Sequence, residues 1–381
     1  MLKYCIKIIF RNLLKFFWIF PVNQKKIYLQ SFSGMKMACN PLYIFNYLYF
    51  LHPEYKYVWL VNKKPMHKIE NVIYVKRGTL QWIYEILTSK VLITNDVFYS
   101  YLPYRKKNLM IETWHGGGAY KKVGSAFESE KKDVNAYKSM LYMAKHINYF
   151  VSSSQKFSEI MSESRLVDIK KFLPIGMPRN DILFNSETSN KLSEKVREKY
   201  GFSKDDFIVL YAPTFRGKTS NSYFDNYLDV NVLKSILKMK TGKNTKVLFR
   251  GHYLLRNLPG YTEYDKDVSD WQDMQMLLCA SDMLITDYSS CMWDFSLLKR
   301  PCFLFVPDFD DYVNNRGFYT EPETWGFPIC RTNTELKDKI ICFDKDKYVL
   351  AVEKHHKNLG SYEKGNATEQ IAKVIFEVTE R

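Results

Sequence analysis

The stretch KKIYLQSFSGMKMACNPLYIFNYLYFLHPEYKYVWLVN, residues 25–62, decides the reading of this chain. It opens on a short β-rich run, KKIYLQSF (25–32), passes through a helical stretch, PLYIFNYLYFL (41–51), and closes on a second β-rich run, YKYVWLVN (55–62). Strand, helix and strand at this spacing form a crossover unit, which favours a parallel sheet covered by helices. Working outward, further strands are expected at NVIYV (71–75), KVLIT (90–94), NLMIET (108–113) and YFVSS (149–153), with helices between them. The first half therefore reads as one doubly wound α/β domain.

Around residues 184–206 the composition turns polar and charged, NSETSNKLSEKVREKYGFSKDD, before a new apolar strand, FIVLYA (207–212). The domain boundary is expected there. The alternation then resumes with TKVLFR (245–250), MLIT (283–286) and CFLFV (302–306), separated by helical stretches at 230–240, 270–280 and 291–299. The chain thus divides into a basic segment (1–22), an N-terminal α/β domain (23–190), a C-terminal α/β domain (200–365) and a closing helix (366–381).

Composition agrees with two buried cores. In 381 residues, 46% are hydrophobic and 16% aromatic, which excludes a disordered, collagen-like or minimal disulfide-stapled chain. The seven cysteines include no C-x-x-C pair and sit mostly in apolar runs, so they read as small buried hydrophobes in a reducing compartment. Lys and Arg number 56 against 41 Asp and Glu, a formal charge of +15. About +7 of it lies before the first acidic residue, Glu54, on Lys3, Lys7, Arg11, Lys15, Lys25, Lys26 and Lys36.

The opening MLKYCIKIIFRNLLKFFWIF (1–20) places Lys3, Lys7, Arg11 and Lys15 four residues apart, one basic stripe on a helix opposite Ile, Leu, Phe and Trp. No uncharged run reaches the roughly 20 residues that span a bilayer. Nor does a small-residue cleavage site follow an apolar core, which argues against a secretory signal. An interfacial helix on an anionic membrane surface is the favoured reading, with a helix packed on the protein's own core close behind it. A nucleic-acid arm would carry exposed cations rather than so apolar a face, so no nucleic acid is expected as partner.

Four polar clusters stand directly after apolar strands: Trp114-His115-Gly116-Gly117-Gly118, Pro213-Thr214-Phe215-Arg216, Arg250-Gly251-His252 and Asp287-Tyr288-Ser289-Ser290. Ligands of open parallel sheets bind at the carboxyl ends of strands, so these clusters are expected to line an interdomain cleft. Ser290 is expected to cap a helix whose amino end offers N–H groups to phosphate. Asp294, four residues on, would share its face and could take a ribose or alditol hydroxyl. Arg250 and His252 alternate at a strand end and could together neutralise a diphosphate. His115 is the candidate proton acceptor. Arg179, in IGMPRND, fits either a ligand contact or a capped turn. Asp308-Phe309-Asp310-Asp311 reads as a solvated turn rather than a metal site, and His355-His356 as a helix-surface pair without a third zinc ligand.

In order and spacing, NPLYIFNYL, TWHGGGAYKKVG, IGMPRNDIL, VLYAPTFRG, LFRGHYLL, SDMLITDYSSCMWDFSLLKRP, YVNNRGFY and YEKGNATEQI resemble the CDP-glycerol glycerophosphotransferases of teichoic acid and capsule synthesis. The resemblance covers about residues 27–375. It implies a GT-B-like fold of two Rossmann-like domains held peripherally at the cytoplasmic face of the cell membrane. The implied donor is CDP-glycerol or another CDP-alditol, and the acceptor a hydroxyl of a lipid-linked glycan or growing poly(alditol phosphate). By motif, His115 and His252 would be catalytic. Thr113, Trp114, Gly116, Gly117, Arg179, Pro213, Thr214, Arg250, Gly251, Ser289, Ser290 and Asp294 would bind the donor. No resident metal or other cofactor is implied, with Mg²⁺ left open. Gly117-Gly118 stands where relatives often carry Thr-Pro, and Gly326-Phe327-Pro328-Ile329 where they carry Gly-Pro-Ile, a departure that bears on which alditol is used. The competing activity is a GT-B glycosyltransferase with a nucleotide-sugar donor. A non-enzymatic membrane or nucleic-acid binder would leave the four clusters unexplained.

Overall fold

The computed structural model describes residues 2–127, 132–214, 216–218, 221–223, 227–251, 263–315 and 317–380. They form two compact units: residues 1–117, 123–181 and 361–381 make the first, and 118–122 with 182–360 the second.

The first unit is built on seven strands: β1 Asn23–Gln30, β2 Lys56–Leu60, β3 Val72–Val75, β4 Ser89–Thr94, β5 Leu109–Glu112, β6 Tyr149–Ser152 and β7 Phe172–Pro174. Their spatial order is β3-β2-β1-β4-β5-β6-β7 and every pairing is parallel. β4 and β5 are buried almost end to end because helices cover both faces, which is why they read as unbroken apolar runs. The order reverses between β1 and β4. At that reversal the connections leave in opposite directions and open a crevice over the strand ends.

The second unit repeats the plan. Its strands are β8 Phe207–Ala212, β9 Arg216–Lys218, β10 Asn221–Tyr223, β11 Thr245–Phe249, β12 Lys266–Asp267, β13 Met283–Thr286, β14 Cys302–Phe305 and β15 Ile329–Cys330. β9 and β10 pair as an antiparallel hairpin, and the others form a parallel sheet in the order β12-β11-β8-β13-β14-β15. Here the order reverses between β8 and β13.

The units divide the chain differently from the composition break. Asp181 ends the first unit, and the helix Ser186–Tyr200 belongs to the second, where Val196 enters the core. The closing helix Ala367–Thr379 returns to the first unit, because the Asp181 carboxylate accepts from the N–H groups of Ala367 (3.0 Å) and Thr368 (2.7 Å). Tyr120 carries the pentapeptide 118–122 into the core of the second.

The basic arm is a helix, Leu2–Leu14, followed by a 3₁₀ turn, Lys15–Ile19. Two of its cations dock. Lys7 Nζ donates to Ser139 Oγ at 3.1 Å and the Arg11 guanidinium lies 3.5 Å over the Tyr142 ring, both on the helix Val134–His146. Arg105 clasps the turn by donating to the carbonyls of Phe17 and Phe20 at 2.8 Å each. Ile6, Ile9, Phe10, Leu13, Phe16, Trp18 and Ile19 stay exposed. The arm thus packs on the protein through Lys7, Arg11 and the buried Leu14, with Trp18 Nε1 donating to the Pro103 carbonyl at 2.8 Å and the Phe20 ring 5.2 Å from Tyr84, while most of its large apolar side chains stay exposed. No helix among the described residues is long and apolar enough to cross a membrane.

Candidate active site

In the first unit, the polar residues that follow β1, β4 and β5 meet at the β1/β4 reversal. Thr113 continues β5 and is fully buried, with both its N–H (2.7 Å) and its hydroxyl (3.0 Å) donating to the Thr94 carbonyl at the end of β4. Trp114 then takes a left-handed backbone, φ +52°, which a non-glycine residue adopts only when its surroundings enforce it. Its N–H donates to Glu112 Oε1 at 3.0 Å, and the amide of Asn40 donates to the carbonyls of Thr113 (3.1 Å) and Trp114 (3.0 Å). The Arg165 guanidinium lies over the Trp114 ring at 5.1 Å. Burial pushes the Glu112 carboxyl well above the usual carboxylate range, and Arg165 only partly offsets this.

This turn delivers His115 to the surface above the reversal, exposed between the half-buried Trp114 and the buried Gly116. Its ring stacks on Trp114 (centroids 4.7 Å apart) and meets Phe32, just beyond β1, at 5.7 Å. Nδ1 lies 2.8 Å from the carbonyl oxygen of Asn95, just beyond β4. A carbonyl only accepts, so Nδ1 carries the hydrogen, and in the neutral ring Nε2 carries the lone pair. That is the form a proton acceptor needs. Gly116 and Gly117 are buried behind it. Gly118 has φ +74°, and a Cβ there would fall 2.4 Å from the Tyr120 ring, so this glycine serves the turn.

Arg179 is 2% exposed. Its N–H donates to Asn40 Oδ1 at 3.1 Å and its Nη1 to Cys39 Sγ at 3.6 Å, which ties the PRND turn to the β5 loop. Of the predicted ligand contacts it is one that the structure seats deep inside the first unit.

In the second unit, the reversal between β8 and β13 is bridged by Asp287. Its Oδ2 accepts from both the N–H (2.9 Å) and the hydroxyl (2.7 Å) of Thr214, next to the buried Pro213. Ser289 and Ser290 follow, each half-buried. The expected cap differs in detail. Ser290 makes no side-chain cap, the helix covers only Cys291–Ser296, and the N–H groups of Met292 and Trp293 donate to the carbonyls of Ser289 and Ser290. Ser289 Oγ in turn accepts from the Cys291 N–H at 3.5 Å. Asp294 is 3% exposed and its Oδ2 accepts from Gln275 Nε2 at 2.9 Å, so it braces two helices from the inside. Beyond β11, Arg250 donates to the Trp271 carbonyl at 3.0 Å and Gly251 N–H to Ser269 Oγ at 2.8 Å, which orders the 268–271 loop beside the strand end. Phe215 and His252 lie outside the described residues, as do the side chains of 216–218.

Three further expectations change. His355 is buried, its Nε2 3.0 Å from the Tyr120 hydroxyl, and His356 Nε2 lies 2.7 Å from Ser296 Oγ, so the pair belongs to the packing and not to the surface of its helix. Desolvation holds the two rings down to about 4 and about 3. Cys5 and Cys342 are exposed, whereas the other five cysteines are buried. Asp310 and Asp311 open a short helix, Phe309–Asn315, instead of a turn. Among the described residues no three His, Cys, Asp or Glu side chains converge as metal ligands do. Asn40, Asn95 and Phe32 are the site residues that the sequence did not single out.

The family model for CDP-glycerol:poly(glycerophosphate) glycerophosphotransferase matches residues 12–377. A teichoic acid poly(glycerol phosphate) polymerase of Bacillus spizizenii is 31% identical over 374 residues, covering 94% of this chain and 93% of that protein. A teichoic acid glycerol-phosphate transferase of Staphylococcus aureus is 29% identical over 366 residues, with 93% of each covered. Among solved structures, a variant of the wall teichoic acid polymerase TagF soaked with CDPG superposes with a TM-score of 0.83 at 25% identity, covering 100% of this chain and 97% of that one. With two reversed parallel sheets, each carrying a polar cluster at its reversal, and a match running nearly end to end, the chain belongs to the CDP-glycerol:poly(glycerophosphate) glycerophosphotransferase family and is an enzyme of glycerol phosphate transfer.

Proposed function

We propose that this enzyme transfers glycerol phosphate from CDP-glycerol to a hydroxyl of a lipid-linked glycan or a growing poly(glycerol phosphate), releasing CMP, in the synthesis of a teichoic acid or capsule-type polymer. The acceptor oxygen attacks the glycerol-bearing phosphorus, a new P–O bond forms, and the bond from that phosphorus to the bridging oxygen of CMP breaks. The acceptor proton passes to His115 Nε2. In-line phosphoryl transfer asks the protein for alignment and charge neutralisation more than for covalent chemistry. Arg250, with the hydroxyls of Ser289 and Ser290, is suited to the diphosphate, and Thr214 and Gly251 shape the strand ends beside it. His252 is assigned to the same charge neutralisation from its place in the sequence motif.

The observation that carries this reading is the hydrogen bond from His115 Nδ1 to the Asn95 carbonyl over the β1/β4 reversal. His115→Ala should lower the rate of CMP release from CDP-glycerol by about 10²–10⁴-fold without unfolding the protein. CMP release at the wild-type rate from a folded variant would refute the base assignment.

The exposed apolar residues of the arm suit a peripheral seat on the cytoplasmic face of an anionic membrane, where a lipid-linked acceptor would be met. The alditol is taken as glycerol. CDP-ribitol, offered in parallel with CDP-glycerol on one synthetic acceptor and read by mass spectrometry of the product, tests that choice.

A further inference from the structure

We infer that Asn40 is a positioning residue for the transfer, clamping the Trp114 peptide in its left-handed form so that His115 presents Nε2 to the acceptor; this rests on the reading of His115 as the proton acceptor. Asn40 is fully buried near the start of the helix Cys39–Leu51, 75 positions before the residue it serves. Its Nδ2 donates to the two carbonyls that flank Trp114 on either side of its Cα, Thr113 O at 3.1 Å and Trp114 O at 3.0 Å, with Met177 Sδ at 3.6 Å. Its Oδ1 accepts from Arg179 N–H at 3.1 Å.

The placement is specific in what it fixes. Left to itself, Trp114 would leave the φ +52° form, since its Cβ crowds the adjoining carbonyl there. Glu112 holds the N–H of Trp114, and Asn40 holds the carbonyls before and after it, so the peptide cannot rotate without losing three hydrogen bonds. The next residue is His115. Its ring stacks on the Trp114 indole, and from this backbone direction its Nδ1 lies 2.8 Å from the Asn95 carbonyl. Release of the Trp114 peptide would swing the imidazole off that carbonyl, and Nδ1 and Nε2 would then compete for the hydrogen.

Asparagine is required by the donor count. Asn40→Asp keeps the shape but removes both hydrogens and sets a carboxylate against two carbonyl oxygens. Asn40→Ser is smaller and uncharged. Both variants, wild type and His115→Ala are to be compared by steady-state CMP release from CDP-glycerol on a lipid-linked acceptor, by thermal melting, and by ¹⁵N NMR of histidine-labelled protein, with His115→Ala assigning the His115 signals. The expected result is a kcat about 10²-fold lower in the Asn40 variants with the KM for CDP-glycerol little changed. The wild-type His115 should show the Nδ1–H tautomer, and the variants a mixture.

Wild-type kcat with an unchanged His115 tautomer in either folded variant would overturn the inference. If neither variant folds, the wild-type spectrum decides, because a hydrogen on Nε2 of His115 contradicts the clamp. Full activity in His115→Ala would instead sink the reading of His115 as base, while the tautomer measurement would still judge Asn40.

Discussion

At the scale of the residue, two side chains with similar labels in the sequence have opposite fates. His115 is exposed and oriented by one backbone carbonyl, whereas His355 is sealed against Tyr120 and Trp293. His115 was distinguished in the sequence by its strand-end position before three glycines, whereas His355 stands among charged residues of the helix Lys345–Leu359. The serines are a second contrast. Ser289 and Ser290 stay half-buried beyond β13, while the Thr214 hydroxyl is spent on Asp287. Ser290→Ala should therefore weaken CDP-glycerol binding about 10- to 100-fold by titration, the worth of one charge-assisted hydrogen bond, with the melting temperature unchanged. Unaltered donor affinity would remove Ser290 from the phosphate site.

The buried histidines carry a pH prediction. Burial holds His355 at about 4, whereas the unfolded ring titrates near 6.5, so the unfolded chain binds the proton first as pH falls. The stability tied to a neutral His355 is complete above about pH 6.5 and is lost progressively down to about pH 4, on the order of 3 kcal/mol in all. Denaturant melts at pH 7 and pH 4.5 should show a larger loss for wild type than for His355→Gln. Equal losses would mean that the ring is not held neutral.

At the scale of the element, the buried strands were legible because parallel strands covered on both faces become unbroken apolar runs, as in VLIT before Asn95 and CFLFV before Pro307. β7 and β15 were not, since Phe172–Pro174 and Ile329–Cys330 are too short to show any period and sit at sheet edges next to proline. Asn40 escaped notice because its role lies in bonds to backbone carbonyls 73 and 74 residues away, which no local pattern encodes. The arm shows another limit. Periodicity says which residues share a face, but not which face docks, and here Arg11 found Tyr142 and Lys7 found Ser139.

The outward apolar face makes its own prediction. Leu13→Glu with Phe16→Glu changes two exposed side chains, so the fold and melting temperature should hold while sedimentation with anionic vesicles falls at least about 10-fold. Undiminished sedimentation would place the membrane contact elsewhere.

At the scale of the whole molecule, the same construction appears twice: a parallel sheet, a reversal in strand order, and a polar cluster over the reversal. The two clusters differ in chemistry. The first offers an oriented imidazole and aromatic rings, and the second offers hydroxyls and a guanidinium beside β8, β11 and β13. That division matches a reaction in which one partner must lose a proton and the other must shed an anionic leaving group. The division of the chain into units was harder to read than the strands, because the closing helix returns to the first unit after the chain has left it, and residues 118–122 join the second unit while the residues on both sides of them belong to the first.

The most direct test of the account is nucleotide release by the purified enzyme on a lipid-linked acceptor, offered CDP-glycerol and, separately, UDP- and GDP-sugars. The account predicts CMP from CDP-glycerol, one for each glycerol phosphate gained by the acceptor, with none of this turnover left in His115→Ala beyond a residual of about 1%. UDP or GDP released from a sugar donor, with no CMP from CDP-glycerol, would contradict it.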